Sequence, residues 1–150
     1  MEEQRIGRIE REAAGGAVRY TRLRADSDPA SAQVLIIDTI GILSSAYRYA
    51  RAAYIGGGFG AGIHNTLEAA TFGLPIAFGP NYSRFKEACE LIACDAARSV
   101  ASAPELEAWF SALAGDRPLL DKRGRAAADY VTAHRGATDA ILSVLFGPEQ

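Results

Sequence analysis

Three short apolar runs, Val34-Leu35-Ile36-Ile37, Ala52-Ala53-Tyr54-Ile55 and Pro75-Ile76-Ala77-Phe78, each end in a turn that leads toward a stretch with helical spacing. Apolar runs that are continuous rather than alternating suit parallel strands covered on both faces. Strands alternating with helices of this length imply crossover connections, so the expected fold is α/β, a Rossmann-like parallel sheet with crossover helices. With 150 residues the chain has the length of one domain built around one core.

The rest of the chain fits this plan. Residues 1–14 are densely charged, and Ile6 and Ile9 give a helix with a narrow buried stripe that Gly15-Gly16 ends. Residues 18–20 are expected as a short strand and 22–31 as a polar loop. Asp38-Thr39 is positioned to cap a helix over 41–50. Further helices are expected from His64 or Asn65 to Phe72, with Gly73 as the stop, and over 85–94, 104–113, 121–134 and 138–145, with a weak strand near Ser99-Val100. Trp109, Phe110 and Tyr130 sit at helical spacing among alanines and leucines and read as core.

Several function classes lose support at once. The chain has 16 basic and 18 acidic residues, a formal charge of -2 without the basic excess of a nucleic-acid binder. Cys89 and Cys94 have neither His64 nor His134 near them in sequence, so they suggest neither a metal site nor a disulfide framework, and reduced buried thiols are expected. No run approaches the length of a membrane-spanning helix, so the chain is expected to be soluble.

In a parallel sheet, ligands gather at the carboxyl ends of the strands. Two junctions there stand out. Asp38-Thr39-Ile40-Gly41 joins a helix start to a glycine that permits close approach of a ligand, although an ordinary capped turn has the same composition. Gly56 to Glu68 is a glycine-rich turn followed by a helix start, with Gly57 and Gly58 placed for backbone contact with a ligand and Glu68 for hydrogen bonds to vicinal ribose hydroxyls. Asn65 and Glu68 also satisfy the spacing of a capping box, and His64 suits a structural hydrogen bond as well as a phosphate contact. Gly56-Gly57-Gly58-Phe59-Gly60-Ala61 matches a dinucleotide fingerprint loosely, but the acidic ribose anchor about twenty residues on is replaced by Phe78-Gly79-Pro80-Asn81-Tyr82. Arg84 and Lys86 face the same rim and fit a solvated helix start better than an anion site.

The segments Asp38-Thr39-Ile40-Gly41, Tyr54-Ile55-Gly56-Gly57-Gly58, His64-Asn65-Thr66-Leu67-Glu68-Ala69-Ala70 and Pro75-Ile76-Ala77-Phe78-Gly79-Pro80-Asn81 follow the order and spacing of the 3-deoxy-D-manno-octulosonic acid (Kdo) transferases, which the chain resembles over nearly its whole length. The resemblance implies the C-terminal, donor-binding half of a GT-B glycosyltransferase, one that lacks its first strands and a phosphate-binding loop. It implies transfer of Kdo from CMP-Kdo to lipid A precursor in lipopolysaccharide biosynthesis, at the cytoplasmic face of the inner membrane. Carried over residue by residue, it assigns Ile40, Gly41 and Ile42 to the CMP moiety, with Ile42 standing where many relatives have Glu, and it maps the Asn-x-x-Glu segment onto Asn65, Thr66, Leu67 and Glu68. The acceptor site and a catalytic carboxylate belong to the N-terminal half, so no catalytic residue, metal or cofactor is expected in this chain. Taken alone, the chain is expected to be inactive and to self-associate through unpaired sheet edges. The competing readings are a GT-B transferase using a UDP sugar and a non-catalytic nucleotide-binding module.

Overall fold

The computed structural model describes residues 3–14, 16–24, 28 and 31–147, in two compact units, Met1–Ala46 and Tyr47–Gln150. Gly15 and much of the expected 22–31 loop lie outside the described residues.

In the first unit, helix α1 (Glu3–Glu12) buries Ile6, as the narrow apolar stripe predicts, while Ile9 is half-buried. Strands β1 (Ala17–Arg19) and β2 (Val34–Ile36) pair in parallel, Ala17 opposite Val34 and Arg19 opposite Ile36. Arg19 is only 6% exposed. Its guanidinium grips both carboxylate oxygens of Glu10, at 2.8 and 2.9 Å, and reaches Glu3 at 2.7 Å. A polar helix is thereby fastened to a strand by charge as much as by its single buried isoleucine. Hydrogen bonds donated to Glu10 and Glu3 push the Arg19 pKa up further, and the bond from Arg19 holds the Glu10 carboxyl below its ordinary value.

Asp38 does not cap a helix. Its carboxylate accepts from the Thr21 hydroxyl at 2.7 Å and the Thr21 amide at 3.1 Å, tying the turn after β1 to the turn after β2. Those bonds, the hydroxyl's first, lower its pKa. The single helix expected over 41–50 is instead a four-residue α2 (Leu43–Ala46) followed by a 3₁₀ turn, Tyr47–Tyr49. Serines and tyrosines are indifferent helix formers, and Asp38 is engaged with Thr21 instead of capping the start.

The second unit holds a three-stranded parallel sheet in the order β3 (Ala53–Ile55), β4 (Ile76–Phe78), β5 (Ala97–Ser99). Its helices are α3 (Leu67–Thr71), α4 (Lys86–Ala93), α5 (Ala103–Gly115), α6 (Arg117–Ala133) and α7 (Ala137–Phe146). Every residue of β4 is buried, as a central parallel strand requires. Ile76 and Phe78 join Ala69, Ala70, Ala88, Leu91 and Ala127 in one apolar cluster, whereas the intervening Ala77 meets Trp109, Leu113 and Leu120 in another. The two-residue period thus sends alternate side chains to opposite covers of one sheet.

Trp109 is core as expected, with Phe110 packed edge-on at 5.1 Å between ring centroids. Tyr130 is half-buried and spends its hydroxyl on Glu90, donating at 2.6 Å. The two thiols depart from expectation: Cys89 is half-buried and Cys94 exposed, both free. Among the described residues no helix is long and apolar enough to cross a membrane.

Candidate functional site

In the second unit, the carboxyl ends of β3, β4 and β5 open into the loops 56–66, 79–85 and 100–102. The first is a compact turn closed on itself: Gly60 and Gly62 amides donate to the Gly57 carbonyl at 2.9 and 3.3 Å, and the His64 amide to Gly56 at 3.1 Å. Gly57 has φ +90°, and a Cβ there would strike the Gly62 carbonyl. A Cβ on Gly58 would lie 2.6 Å from the Gly79 nitrogen. These two glycines are therefore required by the packing of the loops themselves. The neighbour that forbids a side chain at either position is backbone of the same protein, a packing role that stands beside the expected backbone contact with a ligand.

The β4 loop buttresses the β3 loop. The Asn81 amide donates to the Gly58 carbonyl and its side-chain Nδ2 to the Gly60 carbonyl, both at 2.9 Å. Sequence reasoning took Gly79-Pro80-Asn81 for a plain turn, because the role of Asn81 exists only once the two loops are side by side.

Helix α3 is five residues long, shorter than the span from Asn65 to Phe72 that its pattern suggested. Asn65 lies just before it, and its Oδ1 accepts from the Leu67 amide at 2.9 Å while its Nδ2 donates to Glu68 Oε1 at 3.1 Å. This is not the reciprocal capping box, in which Glu68 would turn back to the Asn65 amide. One face of the Asn65 amide caps the turn and the other orients the Glu68 carboxylate, whose second oxygen makes no hydrogen bond among the described residues. A carboxylate held this way is preset for a diol, since a free oxygen can accept from one hydroxyl while the held oxygen has lone pairs to spare.

Thr66 is buried, 4% exposed, and half-exposed Leu67 borders a cleft of about 200 Å³ with Ile63, His64, Phe85 and Glu87. Glu68 is not in its wall. It lies near enough to Tyr47 that, after burial, its charge is the second cause raising the phenol's pKa. Gly41 has φ +95° with open space where a Cβ would stand, Ile40 is 99% exposed and Ile42 half-buried. So Ile40, Gly41 and Ile42 are grouped in the first unit, and Gly57, Gly58, Asn65, Thr66, Leu67 and Glu68 in the second. Among the described residues no cluster of His, Cys, Asp or Glu is arranged to hold a metal ion.

Arg84 was passed over as a solvated side chain. In the structure its guanidinium lies over the Phe85 ring, 5.1 Å from the centroid, and a Cβ on Gly62 would come within 2.5 Å of its Nη2. The side chain is thus laid against the glycine turn.

No family model matches the sequence. The chain is 30% identical over 146 residues to a 3-deoxy-D-manno-octulosonic acid transferase of Bordetella pertussis, a match that takes in 95% of the chain and 34% of that relative, so the chain spans about a third of the relative's length. Its fold matches the crystal structure of the C-terminal CMP-Kdo binding domain of WaaA from Acinetobacter baumannii with a TM-score of 0.68, at 23% identity, over 77% of this chain and 60% of that one. The parallel α/β architecture with flanking helices is therefore that of a GT-B C-terminal domain. The chain is thus similar in sequence to part of a Kdo transferase and in fold to a C-terminal CMP-Kdo binding domain.

Proposed function

We propose that this chain is the donor-binding part of a glycosyltransferase that moves Kdo from CMP-Kdo to lipid A precursor in lipopolysaccharide biosynthesis. The observation that carries the reading is the 30% identity to the Bordetella pertussis transferase across 95% of the chain. The geometry supports it: a carboxylate, Glu68, is oriented by Asn65 beside a rigid glycine turn at the carboxyl rim of a parallel sheet, where a nucleotide sugar finds backbone donors and a ribose acceptor. In this reading Glu68 takes the ribose hydroxyls, and the Gly57 to Gly58 turn and the Ile40-Gly41-Ile42 segment supply backbone contacts to CMP. The acceptor site and the catalytic carboxylate are assigned to the N-terminal half of the full-length protein, which acts at the cytoplasmic face of the inner membrane.

The test is a nitrogen-15 NMR titration of the 150-residue chain with CMP and, separately, UMP, a method that registers even weak binding. CMP is expected to shift the amides of Gly41, Gly57 and Glu68 at concentrations where UMP shifts none. A preference for UMP would point to a UDP-sugar enzyme, and shifts confined to other surfaces would overturn the site.

A further inference from the structure

We infer that Arg84 is an anion-recognising residue of the donor site, gripping the phosphate of the nucleotide from the side of the glycine turn; this rests on the donor-binding reading above. The glycine rim must accept a negatively charged ligand, yet Glu68 and Glu87 are already there as exposed carboxylates. A phosphate arriving among them needs a fixed positive charge. The helix that follows the glycine turn supplies little of it, because α3 has only five residues and the aligned peptide dipoles that make a helix terminus positive are few.

The three rim loops, 56–66, 79–85 and 100–102, contain two side chains able to carry positive charge, His64 and Arg84. A guanidinium is always charged and presents a planar fork of donors that an imidazole lacks. The nearest lysine, Lys86, is turned to Glu90 on its own helix, at 3.7 Å. Arg98 belongs to β5 rather than to the rim loops, and Arg123 pairs with Asp95 at 2.9 Å. Arg84 makes no ion pair among the described residues.

Arg84 is also set in place before any ligand arrives. Its guanidinium rests over the Phe85 ring, and its Nη2 occupies the space that a side chain on Gly62 would fill. Gly62, whose φ of +134° already favours glycine, leaves room for the guanidinium and for the Phe85 ring alike. Contact with the aromatic face holds the guanidinium beside the turn, and its fork of N–H groups can bind two oxygens of one phosphate, which a lysine cannot do.

The experiment compares the wild-type chain with Arg84→Gln, Arg84→Lys and Lys86→Gln in NMR titrations with cytidine, CMP and CMP-Kdo at low and high salt. Arg84→Gln is expected to weaken CMP binding by about ten- to a hundred-fold, the usual effect of losing a charged hydrogen-bonding partner, and to leave cytidine binding unchanged. Arg84→Lys should recover part of the loss, Lys86→Gln should bind as wild type, and the wild-type advantage should shrink as salt rises. Unchanged melting temperatures would show that the glycine turn survives the substitutions. If the wild-type chain binds CMP and Arg84→Gln binds it equally well, the inference fails while the donor-binding reading stands. Loss of CMP-Kdo affinity with CMP affinity intact would overturn the phosphate assignment in favour of the sugar carboxylate. If the wild-type chain binds neither nucleotide, both readings fall together.

Discussion

Replacing Gly58 by alanine tests whether the two loops at the sheet rim are as closely packed as described. The new methyl would stand 2.6, 2.7 and 2.9 Å from the N, Cα and C atoms of Gly79. Ordinary contact between such atoms is about 3.5–4.0 Å, so the loops would have to part by about 1 Å. Neither loop can yield alone, since Asn81 binds the Gly58 and Gly60 carbonyls at 2.9 Å and the Val100 amide holds the Phe78 carbonyl at 2.9 Å. Overpacking of this kind costs about 1–3 kcal/mol, and loss of the Asn81 amide bond adds about 1 kcal/mol. A total of about 2–4 kcal/mol is a large part of the 5–15 kcal/mol typical of a folded domain. Urea unfolding of Gly58→Ala should show it as a lower midpoint at unchanged slope, with faster hydrogen exchange at the Asn81 amide. Gly79→Ala should do the same, its methyl lying 2.6 Å from the Gly58 carbonyl carbon, and the double variant should cost less than the sum because one separation of the loops relieves both clashes. A Gly58→Ala chain within about 0.5 kcal/mol of wild type and with a protected Asn81 amide would refute the packing argument, that margin being the scatter of innocuous substitutions.

Three further outcomes are expected. Glu68→Gln should weaken CMP-Kdo binding by about 1.5–3 kcal/mol as measured by calorimetry on the full-length protein, and Asn65→Ala should weaken it too, because it frees the carboxylate that Asn65 orients. Burial first, and then the Glu90 carboxylate, raise the Tyr130 phenol's pKa, so its contribution to stability is complete below the ordinary tyrosine pKa of about 10 and is lost as pH climbs beyond it; Tyr130→Phe should flatten the alkaline fall in melting temperature. Asp116→Ala should cost about 1 kcal/mol of thermal stability, since its Oδ1 caps α6 by accepting from the Leu119 amide at 2.9 Å.

The parallel strands were legible because their apolar runs are continuous and end in turns. β5 was placed two residues late, since Ala97-Arg98-Ser99 has no apolar run and owes its strand to pairing with β4. α6 begins at Arg117, four residues before the expected 121, because Asp116 caps it and Pro118 occupies its first turn. The Asn65 to Glu68 pairing was visible as a spacing, but which hydrogen bonds it makes was not, because one spacing serves both a capping box and an oriented carboxylate. Asp38 was misassigned for a related reason: its partner, Thr21, is 17 residues away, beyond the reach of any local pattern. Asn81 acts across loops, and nothing in its neighbours along the chain records that.

Arg19 also determines how this protein tolerates trimming. Its guanidinium lies nearly out of reach of water and its charge is answered by Glu3 and Glu10, both on a helix that otherwise looks like a dispensable polar tail. A chain cut to begin at Ala17 would lose little apolar contact and yet leave the Arg19 guanidinium without either carboxylate partner, a charge beside β1 that water must then meet. Pairing Arg19→Leu with the same cut should be the milder lesion, so an apparently harsher double change would leave the sturdier protein.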